Sequence, residues 1–477
     1  MASSDLASSD ELIRATACTI VERLKAGEIT PHDLLDALEH RIAAVDGKVN
    51  ALPILCFDRA REHADRLMKK PVGERGMLAG MPVPIKDLTD VSGVRTTQGS
   101  PIFKDHVAAK SNIVVENLEA NGGIVYAKSN TPEFGAGAQT FNEVFGATRN
   151  PWNLSRSSSG SSGGAAAALA SGMAWVAHGT DVGGSLRNPA SFCGVTGMRP
   201  SIGRVAHSPV MVDRTLSADG PMARNVEDLA LMLDAMSGEH PGDPLSLPRL
   251  PKSFLAAARS GAKPKRVAYS ATLGISPVDP VVAEITRKAA QRFSEAGVIV
   301  EEGHPDFSEA LECAHILRAF DYVLTKGKLL KQHRDQLKPE VIWNIEQGLK
   351  LTLADIERAE MQRVTLTNRT LAFFETYDLL LCPTTIVTPF PVEVRYPTEC
   401  NGTTFDNYVG WLAIVSAITM ACCPALSIPC GFAAEGLPIG LQVVAPPRGE
   451  GRALAGAKML EDILGHRNIT PIDPRNG

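Results

Sequence analysis

The chain reads as an α/β fold, and three observations carry that reading. KRVAYSATLG, DPVVAEITRKAAQRFSEAG and VIVEEG follow one another as strand, helix and strand, the alternation that lays helices against a sheet. Residues 9 to 70 show apolar positions recurring at three and four, the period of an amphipathic helix. A chain of 477 residues that is 44% hydrophobic can bury a sizeable core.

Taken in order, DELIRATACTIVERLKAG and PHDLLDALEHRIAAV predict helices, the second opening at Pro31 after Thr30, because proline suits the first helical turn. Ala165 to Ala177, AAAALASGMAWVA, is built of strong helix formers with few polar atoms and predicts a buried helix. The Pro- and Gly-rich stretch HPGDPLSLPRLPKSF, within residues 240 to 265, predicts a connection. The strand–helix–strand run follows. Residues 308 to 375 predict charged helices, chiefly a solvated face with some pocket-lining positions. No internal repeat is present.

Composition narrows the class further. A net charge of −5 offers no basic footprint for nucleic acid. No run of about 20 apolar residues predicts a membrane span. The opening MASSDLASSDELIRATACTIVERLKAG lacks a charged n-region and an h-region, so no signal peptide is expected and the cytoplasm is the expected compartment. The nine cysteines are odd in number and form no CxxC, and no HExxH occurs. They read as buried thiols in a reducing compartment, with no metal or other cofactor expected.

Chemistry concentrates between Ser155 and Pro200. SSSGSSGG would elsewhere be a flexible linker, but here it feeds directly into the alanine-rich helix, so its free N–H groups face whatever lies ahead. Gly160 to Gly164 fits G-x-S-x-G, a nucleophile elbow with Ser162 as nucleophile and His466 as the later base. The approach Thr148-Arg149-Asn150-Pro151-Trp152-Asn153 is turn-rich, where an elbow needs a central strand. The second turn, Asp181-Val182-Gly183-Gly184-Ser185, sets successive glycines before a serine; consecutive backbone N–H groups there form an anion-binding nest beside Ser185. Upstream, Lys86 ends the apolar, proline-stiffened run Gly80-Met81-Pro82-Val83-Pro84-Ile85. A buried lysine loses its charge readily and then serves as a base for serine.

These segments resemble the amidase signature family of Ser-Ser-Lys amidohydrolases. The resemblance lies in GMPVPIKDLTDVSGVRTTQGS, SNTPEFGAGAQTFNEVFGATRNPWN, SSGSSGGAAAALASG, GTDVGGSLRNPASFCGVTGMRPSIGRV and CCPALSIPCGF with GLPIGLQ. It implies one domain over residues 1–477: an N-terminal helical segment at 1–70, a signature core at 75–225, a variable helical region at 240–375 and a second core part at 378–445. The implied fold is a mixed central β-sheet covered by helices on both sides. The implied roles are Lys86 as base, Ser185 as nucleophile and Ser161 as the bridging serine after a cis peptide bond with Gly160. Val182, Gly183 and Gly184 are implied as the oxyanion hole, with Ser162, Thr180, Asp181 and Arg187 in support.

Two departures bear on the pocket: Ser158-Ser159 precede Gly160 where the family commonly has Pro-Gly, and Thr419 and Cys422 stand where it carries Asn and Gly. Expected pocket positions are Gly135, Ala136, Gly137, Gln139, Thr385, Ile386, Trp411 and Ile439, forming an apolar, aromatic-tolerant site. The implied activity is cleavage of small aryl or alkyl amides, extending to carbamates or esters, by a monomer or homodimer. The alternative is the glutamine-hydrolysing subunit of a tRNA-dependent amidotransferase.

Overall fold

The computed structural model describes residues 9–208 and 215–476. A small sheet contains β1 (Ile54–Leu55), β2 (Pro82–Lys86) and β3 (Ile124–Ser129), in the order β1–β3–β2. The large sheet draws on β4 (Val176–Asp181), β5 (Thr196–Arg199), β6 (Ala218–Ala223), β7 (Arg266–Tyr269), β8 (Ile299–Glu302), β9 (Leu379–Pro383), β10 (Ala425–Phe432) and β11 (Pro438–Val444). Its order is β8–β7–β9–β11–β10–β5–β6–β4. The sheet is mixed: β7 runs parallel to β8 and β9, and the remaining pairs are antiparallel. Helices surround it, with Arg187–Cys193, Pro280–Gln291 and Glu450–Leu464 all packing on β10 and β11.

The local signals act as expected at several elements. Thr30 caps the helix Pro31–Val49, exchanging hydrogen bonds with Asp33, so two of the free N–H groups at that end are satisfied. The strand–helix–strand run becomes β7, the helix Pro280–Gln291 and β8. The helical stretch after residue 308 becomes Ala310–His333, Pro339–Gly348 and Leu353–Phe373.

One expectation is corrected. The alanine-rich helix is fully buried but spans only Gly163–Ala170. Gly172 turns left-handed at φ 76, and from Val176 the chain is β4, because sheet pairing with β6 outweighs the helix propensity of the alanines.

Candidate active site

Lys86 is the last residue of β2, a strand buried along its whole length. Because β2 lies against β4, the lysine meets the residues on either side of the two glycine-rich turns. Its Nζ lies 2.6 Å from Ser161 Oγ, 2.9 Å from Ser162 Oγ and 2.9 Å from Thr180 Oγ1. Burial pushes its pKa from the ordinary 10.5 down to about 7, against the opposing pull of Asp181 and Asp219. Near neutral pH the amine can therefore hold or release a proton among three hydroxyls.

The first turn is set by close packing. The Gly160–Ser161 peptide bond is cis. A Cβ on Gly163 would stand 2.3 Å from Thr140 Oγ1, so only glycine lets the helix start there. Ser162 is buried, and its N–H donates to the Ser185 carbonyl at 3.1 Å, tying the two turns together. Ser161 reaches the cavity in front of the turns; Ser162 does not line it.

The second turn is organised by Asp181. Its carboxylate accepts the N–H of Gly184 at 3.0 Å and of Leu186 at 3.1 Å, and pairs with Arg187 at 2.9 Å and Arg199 at 3.6 Å. Burial alone would raise this carboxyl, but the two guanidinium groups and the N–H bonds hold it well below the usual carboxylate range. Arg187 is itself anchored by Gln442 at 2.6 Å, Thr419 Oγ1 at 3.0 Å and the Val415 carbonyl at 3.2 Å. Gly184 takes φ 93, and a Cβ there would sit 2.7 Å from Val415 Cγ2.

This geometry corrects the nest. The Gly184 N–H is spent on Asp181, so it is not free for a ligand. Among the described residues the N–H groups of Val182, Gly183 and Ser185 meet no acceptor. Thr419, expected near the pocket, instead braces Arg187 beneath the turn, and Cys422 Sγ lies 3.4 Å from an Arg363 nitrogen.

In front of both turns is a cavity of about 350 Å³ whose wall includes Ser161, Thr180, Val182, Ser185 and Gly135. Ser161 and Ser185 thus share one space, although no hydrogen bond joins their hydroxyls. Gly135 is the expected pocket position that reaches it. The Ala136 carbonyl accepts from Lys338 Nζ at 2.9 Å, and Gly137 lies beside that same amine. Gln139 bridges Ser157 and the Val392 carbonyl. Thr385 bonds Ser191 and Ile386 accepts the Asp279 N–H. Trp411 fills an aromatic core cluster with Phe192 and Phe390, and Ile439 is buried in β11. These side chains are committed to packing or to other partners and do not line the cavity.

The elbow reading also fails on geometry. The approach strand Asn153–Ser157 pairs with Arg149–Asn150 and is bridged at Arg156 to Pro391, outside the large sheet. His466 bonds the Pro429 carbonyl and packs edge-on against Phe432, away from the cavity lining.

Sequence reasoning missed a buried chain beside Lys86. His178 Nδ1 accepts the Lys86 N–H at 3.4 Å, and its Nε2 meets Asp219 at 2.8 Å. His207 Nδ1, at the cavity wall, meets the other oxygen of Asp219 at 2.5 Å. Asp219 is the direct cross-strand neighbour of Thr180, which sets its charge next to the lysine. The outer wall was missed as well: Arg318, Tyr322 and Lys326, from the helix Ala310–His333, line the cavity. Their spacing of four was a readable signal, since such residues share one helix face.

A mixed sheet with a buried lysine and two serine turns around one cavity fits an enzyme of the amide-hydrolysing class, and the class itself is shown by similarity to known proteins. The chain belongs to the Amidase family, whose model matches residues 33–454. It is 33% identical over 470 residues to an acylamidase of Rhodococcus erythropolis, covering 96% of this chain and 97% of the relative. It is 35% identical over 488 residues to a glutamyl-tRNA(Gln) amidotransferase subunit of Moorella thermoacetica, covering 97% and 99%. The crystal structure of a bacterial aryl acylamidase of the amidase signature family superposes with a TM-score of 0.87 at 28% identity, covering 96% and 99%. The protein is therefore a hydrolase of carbon–nitrogen bonds in amides. Among the described residues no helix is long and apolar enough to cross a membrane.

Proposed function

We propose that the whole chain works as one catalytic domain, a serine amidohydrolase that acts without a partner on small aryl or alkyl amides. Carbamates and esters lie within the same chemistry. The observation that carries this is a buried lysine poised near neutrality, in contact with Ser161 and one cavity away from Ser185. Lys86 takes a proton from Ser161 while Ser161 takes one from Ser185, whose oxygen attacks the carbonyl. The N–H groups of Val182, Gly183 and Ser185 stabilise the oxyanion; each such donor is worth about 3 kcal/mol. The proton returns through Ser161 to the leaving amine, and water releases the acyl group. The relay requires Ser185 to bring its hydroxyl within reach of Ser161 when substrate fills the cavity. The buried free thiols support a reducing, cytoplasmic setting.

Fluorophosphonate labelling followed by peptide mass spectrometry tests the assignment. Modification at Ser185 is the expected result, and a label on Ser162 would overturn it. Ser161→Ala should slow acylation by about 10²- to 10⁴-fold, and an unchanged acylation rate would remove Ser161 from the relay.

Only the neutral amine accepts a proton, so kcat/KM should fall as pH drops below about 7 and level off above it. Asp219 favours the charged lysine, so Asp219→Asn should shift that acidic limb to lower pH in a pH–rate profile.

A second reading rests on the similarity to the Moorella thermoacetica amidotransferase. Glutamine hydrolysis that appears only with a co-purified partner would favour it over an enzyme acting alone.

A further inference from the structure

The outer wall of the cavity holds a guanidinium whose Nη1 meets no hydrogen-bond partner among the described residues. Arg318 donates through Nε to Asn344 Oδ1 at 3.1 Å and through one terminal nitrogen to Tyr408 Oη at 2.5 Å, with Tyr322 Oη at 3.5 Å. Its charge lies over the rings of Tyr322 and Tyr408, at 5.3 and 5.2 Å. None of these partners is a carboxylate. The remaining nitrogen, Nη1, points to the second turn: a Cβ built on Gly183 would lie 3.7 Å from it. Gly183 carries one of the N–H groups that meet no acceptor among the described residues.

The neighbouring charges do not replace this one. Lys326, two helical turns on, lies over the Phe134 ring at 4.7 Å. Asp90, Asp321 and His207 also line the cavity, so its wall is not uniformly basic. A guanidinium fixed on two sides by a tyrosine cage loses little freedom on binding, and its planar fork suits a carboxylate.

We propose that Arg318 is a specificity-determining contact for a second carboxylate on the acyl group, so that the favoured substrates are half-amides of short dicarboxylic acids. The carboxylate would sit a few bonds from the scissile carbonyl, against Nη1 on the cavity side of the turn. This inference rests on Ser185 being the nucleophile.

Its test compares succinyl-4-nitroanilide with butyryl-4-nitroanilide, chains of similar length that differ in the terminal charge. Wild-type kcat/KM should favour the succinyl compound by about 10- to 100-fold, the usual range for a hydrogen bond to a charged group. Arg318→Met should bring that ratio close to one, and Arg318→Lys should keep part of it. The rate of fluorophosphonate labelling at Ser185 reports whether each variant retains a formed site. Equal wild-type turnover of both anilides, or a ratio unchanged in Arg318→Met, overturns the carboxylate contact and leaves the serine mechanism standing. Turnover of neither anilide with Ser185 unlabelled overturns both.

Discussion

Lys86→Ala is expected to lower kcat/KM for a turned-over anilide at neutral pH by about 10⁴-fold, the upper range for a positioned proton-transfer group. The reason is positional: Lys86 Nζ sits among three hydroxyls with no exposed surface, and it is the amine within hydrogen-bond reach of Ser161 in the proposed relay. Lys86→Arg is the sharper variant. It keeps a cation at the strand end, but a guanidinium does not give up its proton, so it should be as inactive as alanine. Single-turnover acylation separates the cases, and an active Lys86→Arg enzyme would sink the base assignment. Stability carries a second signature. The unfolded lysine keeps its proton to about 10.5, whereas the folded one releases it near 7. Between those values the unfolded chain binds more protons, so this group makes stability rise with pH. Lys86→Met should remove that slope in denaturant titrations.

Asp181→Asn should be the most damaging change to the fold, at about 3–5 kcal/mol. The aspartate is fully buried between Arg187 and Arg199, and the amide would leave two cations without their counter-charge in a site from which water is excluded. It would also turn a donor toward N–H groups that now have an acceptor at Gly184 and Leu186. Because the folded carboxyl is held below its ordinary value of 3.8, its contribution is complete above the unfolded value and is lost as pH falls through the acid range. Urea unfolding at neutral pH measures the loss; a variant of wild-type stability that still labels at Ser185 would show that the turn does not depend on this charge.

The parts of the site that were legible in the sequence are those whose chemistry is local. Gly183 and Gly184 stand next to Ser185, Ser161 opens onto a buried helix, and Lys86 closes an apolar run. The cap at Thr30–Pro31 and the alternation through β7 and β8 are likewise short-range. What the sequence hid is assembled from afar. Arg318 and Tyr322, each over 130 positions beyond Ser185, reach the cavity from the helix Ala310–His333. The Asp181 bond to the Gly184 N–H is a short turn motif that could have been read from an aspartate three residues before a glycine. Trp411 and Ile439 looked like pocket residues because aromatic and branched side chains serve cores and pockets alike; here they serve the core.

The anchors of Arg187 follow it by 228, 232 and 255 positions. During synthesis from the N-terminus, Lys86, Ser161 and Ser185 all emerge well before those anchors exist. Until the segment ending in β11 docks, the arginine keeps only its local partner Asp181, and the turn lacks the far half of its bracing. The bracing of the second turn is thus completed late in the life of the nascent chain. A polypeptide broken off before Gln442 would carry Lys86, Ser161 and Ser185 and yet lack one brace of the turn that holds Ser185.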